Sequence, residues 1–284
     1  MKVLIFGTTG QVAQELKRHA PQGVDVSALG RDRVDLSDPK AAADAIIDAH
    51  PDIVINAAAY TAVDRAEEEP ELAHIINGDA SGVMARACAS QNIPFLHIST
   101  DYVFDGAGNT SFAPNHPTAP INSYGRSKLA GEQAIVAAGG PFAILRTSWV
   151  FSSHGQNFVR TMLRLSETRD QLSIVCDQIG GPTAAADIAR AIWTMARAFH
   201  DGAPQSGIYH FSGAPDISWA GFARKIFALA DRSVTVQDIL SADYPTQAKR
   251  PLNSRLDCRE LEAVFAIPRP DWRQSLKDVL KDLT

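Results

Sequence analysis

A chain of 284 residues with 45% hydrophobic and 21% charged content has the make-up of a globular protein, as one large domain or a large domain with a smaller lobe. Its net charge of -5 comes from 27 basic and 32 acidic residues dispersed along the chain, and no basic stripe recommends nucleic acid. No apolar run reaches the roughly 18 residues of a membrane span, and Cys88, Cys176 and Cys258 lie too far apart for a zinc motif or a disulfide framework.

Met1 to Gly7 enters an apolar run without a signal-cleavage pattern, so Lys2 to Phe6 reads as the first strand of a cytoplasmic protein. Gly7-Thr8-Thr9-Gly10-Gln11-Val12-Ala13 then turns into a helix over Thr9 to Ala20. Such a turn gives a sharp bend and helix-end N–H groups able to receive a pyrophosphate; a tight βα turn without a ligand is the alternative. Its spacing is GxxGxxA, and Ala13, in place of the more common glycine, still permits close helix–sheet packing. Asp25 to Leu29 is predicted as a second strand, Pro39 to Ala49 as a helix opened by Ser37 or Asp38, and Ile53 to Ala57 as a third strand. Consecutive apolar positions in both strands are the pattern of parallel strands covered on two faces.

Gly30-Arg31-Asp32 follows the second strand, setting a carboxylate for ribose hydroxyls beside an arginine that accommodates a 2′-phosphate. Arg31 tilts the expectation from NADH toward NADPH; a merely solvated Arg–Asp pair is the alternative. Asp35 and Leu36 would pass over the adenine, and Ala57, Ala58 and Ala59, followed by Tyr60 and Thr61, leave room for a dinucleotide at the sheet edge. The expected cofactor set is these residues with Gly7, Thr9, Gly10, Gln11, Val12, Gly30 and Arg31, joined by Tyr124 and Lys128 below.

Glu67 to Asn92 holds one or two helices with a break at Pro70, Phe95 to Ser99 is a strand, and residues 101–120 form a Gly/Pro/Asn-rich excursion. Ser99 or Thr100 brings a hydroxyl to the end of that strand. Tyr124-Gly125-Arg126-Ser127-Lys128 opens a helix toward Ala138, and a tyrosine and lysine four apart share one face. A nearby ammonium would stabilise the phenolate and bring the phenol toward its working range; standing alone, the pair could equally be solvated. Phe142 to Arg146 is a strand. Beyond Val150 come a helix at Phe158 to Ser166, a strand at Leu172 to Cys176, a helix at Ala185 to Phe199, a strand at Ile208 to Phe211, and helices at Trp219 to Leu229 and Trp272 to Leu280. Cys88 and Cys176 are expected to be buried and Cys258 exposed. The alternation identifies an α/β, Rossmann-like doubly wound parallel sheet. Residues 1–150 read as the dinucleotide-binding and catalytic portion, and residues 151–284 as sheet-completing elements with a smaller substrate-binding lobe.

Further stretches add to the glycine turn and Tyr-x-x-x-Lys. They are Asn56 to Thr61 with Asp64 and Glu67, Ser99 to Phe104, Arg146 to Val150, Asn157-Phe158, Asp177-Gln178 with Gly180, Pro182 and Thr183, and Arg250-Pro251 with Asn253, Ser254 and Asp257. With them the chain resembles, over nearly its whole length, the extended short-chain dehydrogenase/reductase family, in the branch acting on dTDP-linked sugars. The resemblance implies NAD(P)H-dependent reduction at C4 of a dTDP-linked 4-keto-6-deoxyhexose. It implies that Tyr124 protonates the forming alkoxide, that Lys128 holds the nicotinamide ribose and lowers the phenol's pKa, and that Thr100 rather than Ser99 orients the carbonyl. It sets Asp101, Tyr102 and Trp149 beside the sugar and makes Asn157, Arg250 and Asn253 contacts in the substrate lobe; otherwise Trp149 would be a core aromatic and Arg250 a surface cation. It also implies a homodimer and a structural Mg²⁺ between subunits, for which Glu15 is the candidate. One carboxylate does not specify a metal site, and His97, His116 and His154 add no ligand spacing, so no catalytic metal is expected.

Two other readings share the scaffold. A nucleotide-sugar epimerase or dehydratase regenerates bound NAD, and the dehydratase commonly carries Asp–Glu where this chain has Asp101-Tyr102. A non-catalytic dinucleotide-binding subunit, similar to the regulatory subunit of some methionine adenosyltransferases, keeps the fold without turnover; the intact Thr100, Tyr124 and Lys128 argue against it.

Overall fold

Short apolar strands alternate with helices through the first half of the chain. In the computed structural model, which describes residues 1–202 and 205–283, these are β1 (Lys2–Phe6), α1 (Gln11–Arg18), β2 (Asp25–Leu29), α2 (Pro39–Ala49), β3 (Ile53–Asn56), the short helices α3 (Arg65–Glu68) and α4 (Pro70–His74), α5 (Ala80–Ser90), β4 (Phe95–Thr100), α6 (Ser123–Ala138) and β5 (Phe142–Thr147). Between α4 and α5 the backbone widens into a π-helical turn at Ile75–Asp79. Strand Gly207–His210, from the second half, adds to β5. The described strands of the central sheet are all parallel, in the order Gly207–His210, β5, β4, β3, β1, β2. From β1 the chain crosses first to β2 and then back past β1 to β3, which opens a crevice above their carboxyl ends.

β1 and β3 bury every residue but Lys2, as two-sided coverage requires. β2 departs from that expectation: it has no fully buried residue, because it is an edge strand with a neighbour on one side only. Asp38 caps α2, its carboxylate accepting from the N–H of Lys40 and Ala41. On one face of the sheet, Val3, Ile5 and Leu16 pack with Ile188, Ile192 and Phe199 of helix Ala185–His200, whose Trp193 Nε1 donates to the Leu16 carbonyl at 3.0 Å. On the other, Ile46, Met84 and Ile135 cover Leu4, Val54 and Phe95.

The rest of the second half has its own apolar centre, with Phe151, Phe222, Trp272 and Leu276 in contact. Beside it, strand Gln171–Val175 pairs in parallel with Thr235–Ile239, a strand not expected from the sequence. A fourth cluster, Phe104, Phe112, Leu256 and Cys258, ties the 101–120 excursion to the late chain, with the Phe112 N–H donating to the Arg255 carbonyl at 2.9 Å. Cys258 is therefore buried rather than exposed, while Cys176, at the end of a peripheral strand, is only partly buried. Among the described residues no helix is long and apolar enough to cross a membrane.

Candidate active site

A cavity of about 820 Å³ opens over the carboxyl ends of β1, β3 and β4. At one end lies the glycine turn. Gly7 adopts φ +114°, and a side chain there would also press on Ala13 Cβ and the Ala57 backbone at 3.3 Å. Gly10 begins α1 with no side-chain cap, and a Cβ on it would meet only the Ala57 carbonyl oxygen at 3.8 Å, so the helix entrance stays open to a close-fitting phosphate. Gly7, Thr9, Gly10, Gln11 and Val12, then Gly30, Arg31, Asp35 and Leu36, then Ala57, Ala58, Ala59, Tyr60 and Thr61 all line the cavity. Arg31 Nε donates to Asp35 Oδ2 at 3.0 Å, and its side chain is 79% exposed at the rim.

The other end is built on α6. Asn122 caps this helix by accepting from the Gly125 N–H at 2.7 Å, and its amide donates to the Lys249 carbonyl at 2.9 Å. Glu67 accepts from the Ser123 N–H and hydroxyl. Gly125 lets α6 press against the chain after β4, since a Cβ there would stand 2.1 Å from the Tyr102 carbonyl oxygen. Asn77, in the π-helical turn, accepts from the Tyr60 N–H at 2.8 Å and donates to Ser127 Oγ at 2.9 Å, locking the β3 loop to the same helix.

Tyr124, Lys128 and Thr100 converge as a result. The Thr100 hydroxyl lies beside the Tyr124 phenol at this end of the cavity and donates to Asp101 Oδ1 at 3.1 Å. The neighbouring hydroxyl goes elsewhere: Ser99 Oγ donates to Glu132 Oε1 at 2.5 Å, beside a buried pair in which Arg146 Nη2 meets Glu132 Oε2 at 2.6 Å. The two-residue alternation of β4 thus distinguishes two hydroxyls that spacing alone leaves equivalent. Below that pair, the His210 ring accepts from Arg146 at Nε2 and donates from Nδ1 to the Phe112 carbonyl, a neutral form that burial enforces by lowering its pKa to about 3.

Burial pushes the Tyr124 phenol well above its usual range, with the Thr100 hydroxyl pulling the other way. Lys128 Nζ donates to the Ile98 carbonyl at 2.7 Å and lies 3.0 Å from His97 Nε2, and burial lowers its pKa to about 8. Asp101 is also pushed up by burial, to about 6.

Tyr102 and Trp149 line the same end, with Tyr102 edge-on to Tyr124 at 5.7 Å. Trp149 takes φ +50° and stacks on Trp219 at 3.6 Å. A bulky residue in left-handed backbone marks a constrained site. Trp219 was legible only as a helix start, and its place in the cavity follows from a tertiary contact.

Asn157, Arg250 and Asn253 do not reach the cavity lining. Asn157 caps helix Phe158–Ser166 and donates to Gln11 Oε1 at 3.0 Å; Arg250 Nη2 meets Asp64 Oδ2 at 2.7 Å; and Asn253 donates to the Thr110 carbonyl at 2.8 Å. Each holds a loop behind the site. Glu15 is buried on α1 with His19 and His154 nitrogens each 3.2 Å from its carboxylate, and among the described residues no group of three or more His, Cys, Asp or Glu could hold a metal ion.

A family model described as the RmlD substrate binding domain matches residues 1–284. Curated relatives named dTDP-4-dehydrorhamnose reductase include one from Sinorhizobium fredii, 46% identical over 98% of this chain and 96% of its own, and one from Burkholderia thailandensis, 43% identical over 100% and 99%. A solved dTDP-4-dehydrorhamnose reductase from Clostridium acetobutylicum superposes with a TM-score of 0.93 at 34% identity, covering 100% of this chain and 99% of that one. The Bacillus anthracis enzyme, solved in complex with NADP, also gives 0.93, at 33% identity and 99% of each chain. A Thermus thermophilus UDP-glucose 4-epimerase shares the fold at 18% identity with a TM-score of 0.83, covering 100% of this chain and 99% of that one.

Proposed function

The chain belongs to the family of the RmlD substrate binding domain, and on that premise we propose that it is an NAD(P)H-dependent oxidoreductase that reduces the C4 keto group of dTDP-4-dehydro-β-L-rhamnose to give dTDP-β-L-rhamnose. The observation that carries the residue-level reading is that Tyr124, Lys128 and the Thr100–Asp101 pair line one end of a cavity whose other end is the open α1 entrance.

The residues present fit a dinucleotide: an unobstructed helix entrance at Gly10, small side chains at Ala57 to Ala59, and an arginine at the rim. When bound, the cofactor supplies the hydride that reaches C4 of the sugar. Tyr124 gives its proton to the ketone oxygen as negative charge develops there, and Thr100, at the same end of the cavity, orients that oxygen. Lys128, held by the Ile98 carbonyl and beside His97, lines the cavity where a ribose hydroxyl would meet it. Asp101 and Tyr102 bind sugar hydroxyls, and the Trp149–Trp219 stack supplies an apolar wall that excludes water. Asn157, Arg250 and Asn253 act by holding the lobe rather than by touching the sugar. Arg31 favours NADPH through a 2′-phosphate.

A purified-protein assay with the dTDP-4-keto sugar and NADPH or NADH tests the activity, and consumption of one reduced cofactor per sugar is expected. Conversion without that consumption would point to an epimerase or dehydratase instead. Tyr124→Phe is expected to lower kcat by about 10² to 10⁴ while dinucleotide binding persists; undiminished turnover would sink the role given to the phenol.

A further inference from the structure

The segment after β5 carries a residue whose backbone and side chain are held by separate parts of the molecule. Trp149 sits at φ +50°, a left-handed conformation that a bulky residue keeps only under constraint. Its backbone is secured by residues 181–184: Ser148 Oγ donates to the Gly181 carbonyl at 2.9 Å, the Thr183 N–H donates to the Trp149 carbonyl at 3.2 Å, and Val150 pairs in parallel with Thr183. None of these bonds reaches the indole.

Two other contacts hold the ring. Trp219 lies on one face of it, with centroids 3.6 Å apart and planes 10° from parallel. Gly180 lies against its edge, where a Cβ would stand 2.9 Å from Trp149 Cε2 and 3.1 Å from Nε1. Aromatic pairs left to themselves favour offset or edge-on contacts, so an overlap this full is imposed by the surroundings. A short antiparallel pairing brings the two supports together, Ile217 opposite Gly180 and Ser218 opposite Ile179. Ser218 then caps the helix that Trp219 begins, its hydroxyl accepting from the Gly221 N–H at 3.0 Å. Phe158 packs against Trp219, tilted by 50° with centroids 4.5 Å apart. Both indoles stay partly exposed and line the cavity.

We propose that Trp219 is a positioning residue for the sugar: by closing one face of Trp149 it fixes a single orientation of that indole, so that the wall against which the hexose packs is formed before the sugar arrives. The inference rests on the reading of Trp149 as part of the sugar site. An indole free to turn about its side-chain bonds would have to be ordered by each arriving sugar, at the expense of affinity. In a stack already in place, folding has done that ordering. The dinucleotide gains nothing from it, since the α1 entrance is formed by the turn after β1 and by Ala57.

Two face-to-face indoles couple their electronic transitions. Circular dichroism of the free wild-type protein is therefore expected to show a paired positive and negative band that Trp219→Phe and Trp149→Phe each weaken or remove. A free protein without that couplet overturns the proposal and leaves the reductase reading standing, because the signal requires neither ligand nor turnover. Calorimetric titration with dTDP-β-L-rhamnose, with dTDP alone and with NADPH tests what the stack does. Trp219→Ala is expected to weaken dTDP-β-L-rhamnose binding about tenfold while the affinities for dTDP and NADPH stay within about twofold of wild type. Trp219→Phe, which keeps a flat ring on Trp149, is expected to recover most of that loss. Equal weakening of all three ligands, as general damage to the lobe would give, overturns the proposal, and so does unchanged dTDP-β-L-rhamnose binding in Trp219→Ala.

Discussion

Burying Lys128 has a thermodynamic consequence that can be separated from its chemistry. Its pKa falls from 10.5 to about 8 on folding, so between those values the unfolded chain holds more protons and stability rises with pH. Below about 8 both states are charged and the full penalty, roughly 3 kcal/mol, is in force. Lys128→Met should therefore raise the melting temperature at neutral pH while abolishing reduction, with the gain shrinking as pH climbs through that window. A stabilisation independent of pH would mean that packing, not desolvation, was responsible. Arg31 acts at the same scale but through solvent. Exposed and tethered only to Asp35, it contributes little to the fold, so Arg31→Ala should leave the melting temperature unchanged. We expect it to raise KM for NADPH about tenfold with little change for NADH, and equal effects on both cofactors would remove Arg31 from 2′-phosphate recognition.

At the scale of elements, the site depends on how closely α6 seats against the turn after β4. With a Cβ at Gly125 only 2.1 Å from the Tyr102 carbonyl, Gly125→Ala must displace the helix or the turn. We expect a loss of about 1–3 kcal/mol in urea denaturation, and a fall in kcat larger than any change in dinucleotide affinity, because Tyr124 moves relative to Thr100 while the α1 entrance does not. Elements with a strong local pattern were legible in the chain: β2, α2 and the helices Phe158–Ser166 and Trp219–Leu229 lie where apolar spacing and caps place them. Strand Thr235–Ile239 was not, because Thr-Val-Gln-Asp-Ile is half polar and lies mostly exposed beside a single partner. The two-residue strands at Ile179–Gly180 and Asn253–Ser254 are too short to show any period. The site divides in the same way. The glycine turn and Tyr124 with Lys128 are spacings within one turn or helix, whereas the Trp149–Trp219 stack and the His97–Lys128 contact join residues from separate elements and exist only once the chain has folded.

For the whole molecule, we take the division into residues 1–150 and 151–284 as one of function rather than of folding. The second half supplies the cover for one face of the sheet: Val3, Ile5, Leu16 and Leu145 are buried with Ile188, Ile192, Phe199 and Tyr209, and strand Gly207–His210 occupies the edge beside β5. Each such side chain contributes about 1.5–3 kcal/mol when fully buried. Net stability of a domain is only about 5–15 kcal/mol, so uncovering several of them exceeds what the remaining contacts can hold. A fragment ending at residue 150 is therefore expected to lack a cooperative urea transition and to bind a hydrophobic dye, even though it contains the glycine turn, Thr100, Tyr124 and Lys128. Restoring residues 151–284 should restore cooperative unfolding and dinucleotide binding together, since α1, whose entrance we propose for the phosphates, is backed by helix Ala185–His200 through the Trp193 bond to Leu16. A fragment that unfolded cooperatively and bound the dinucleotide unaided would instead make the first half an independent domain, and the interleaved sheet an accessory to it.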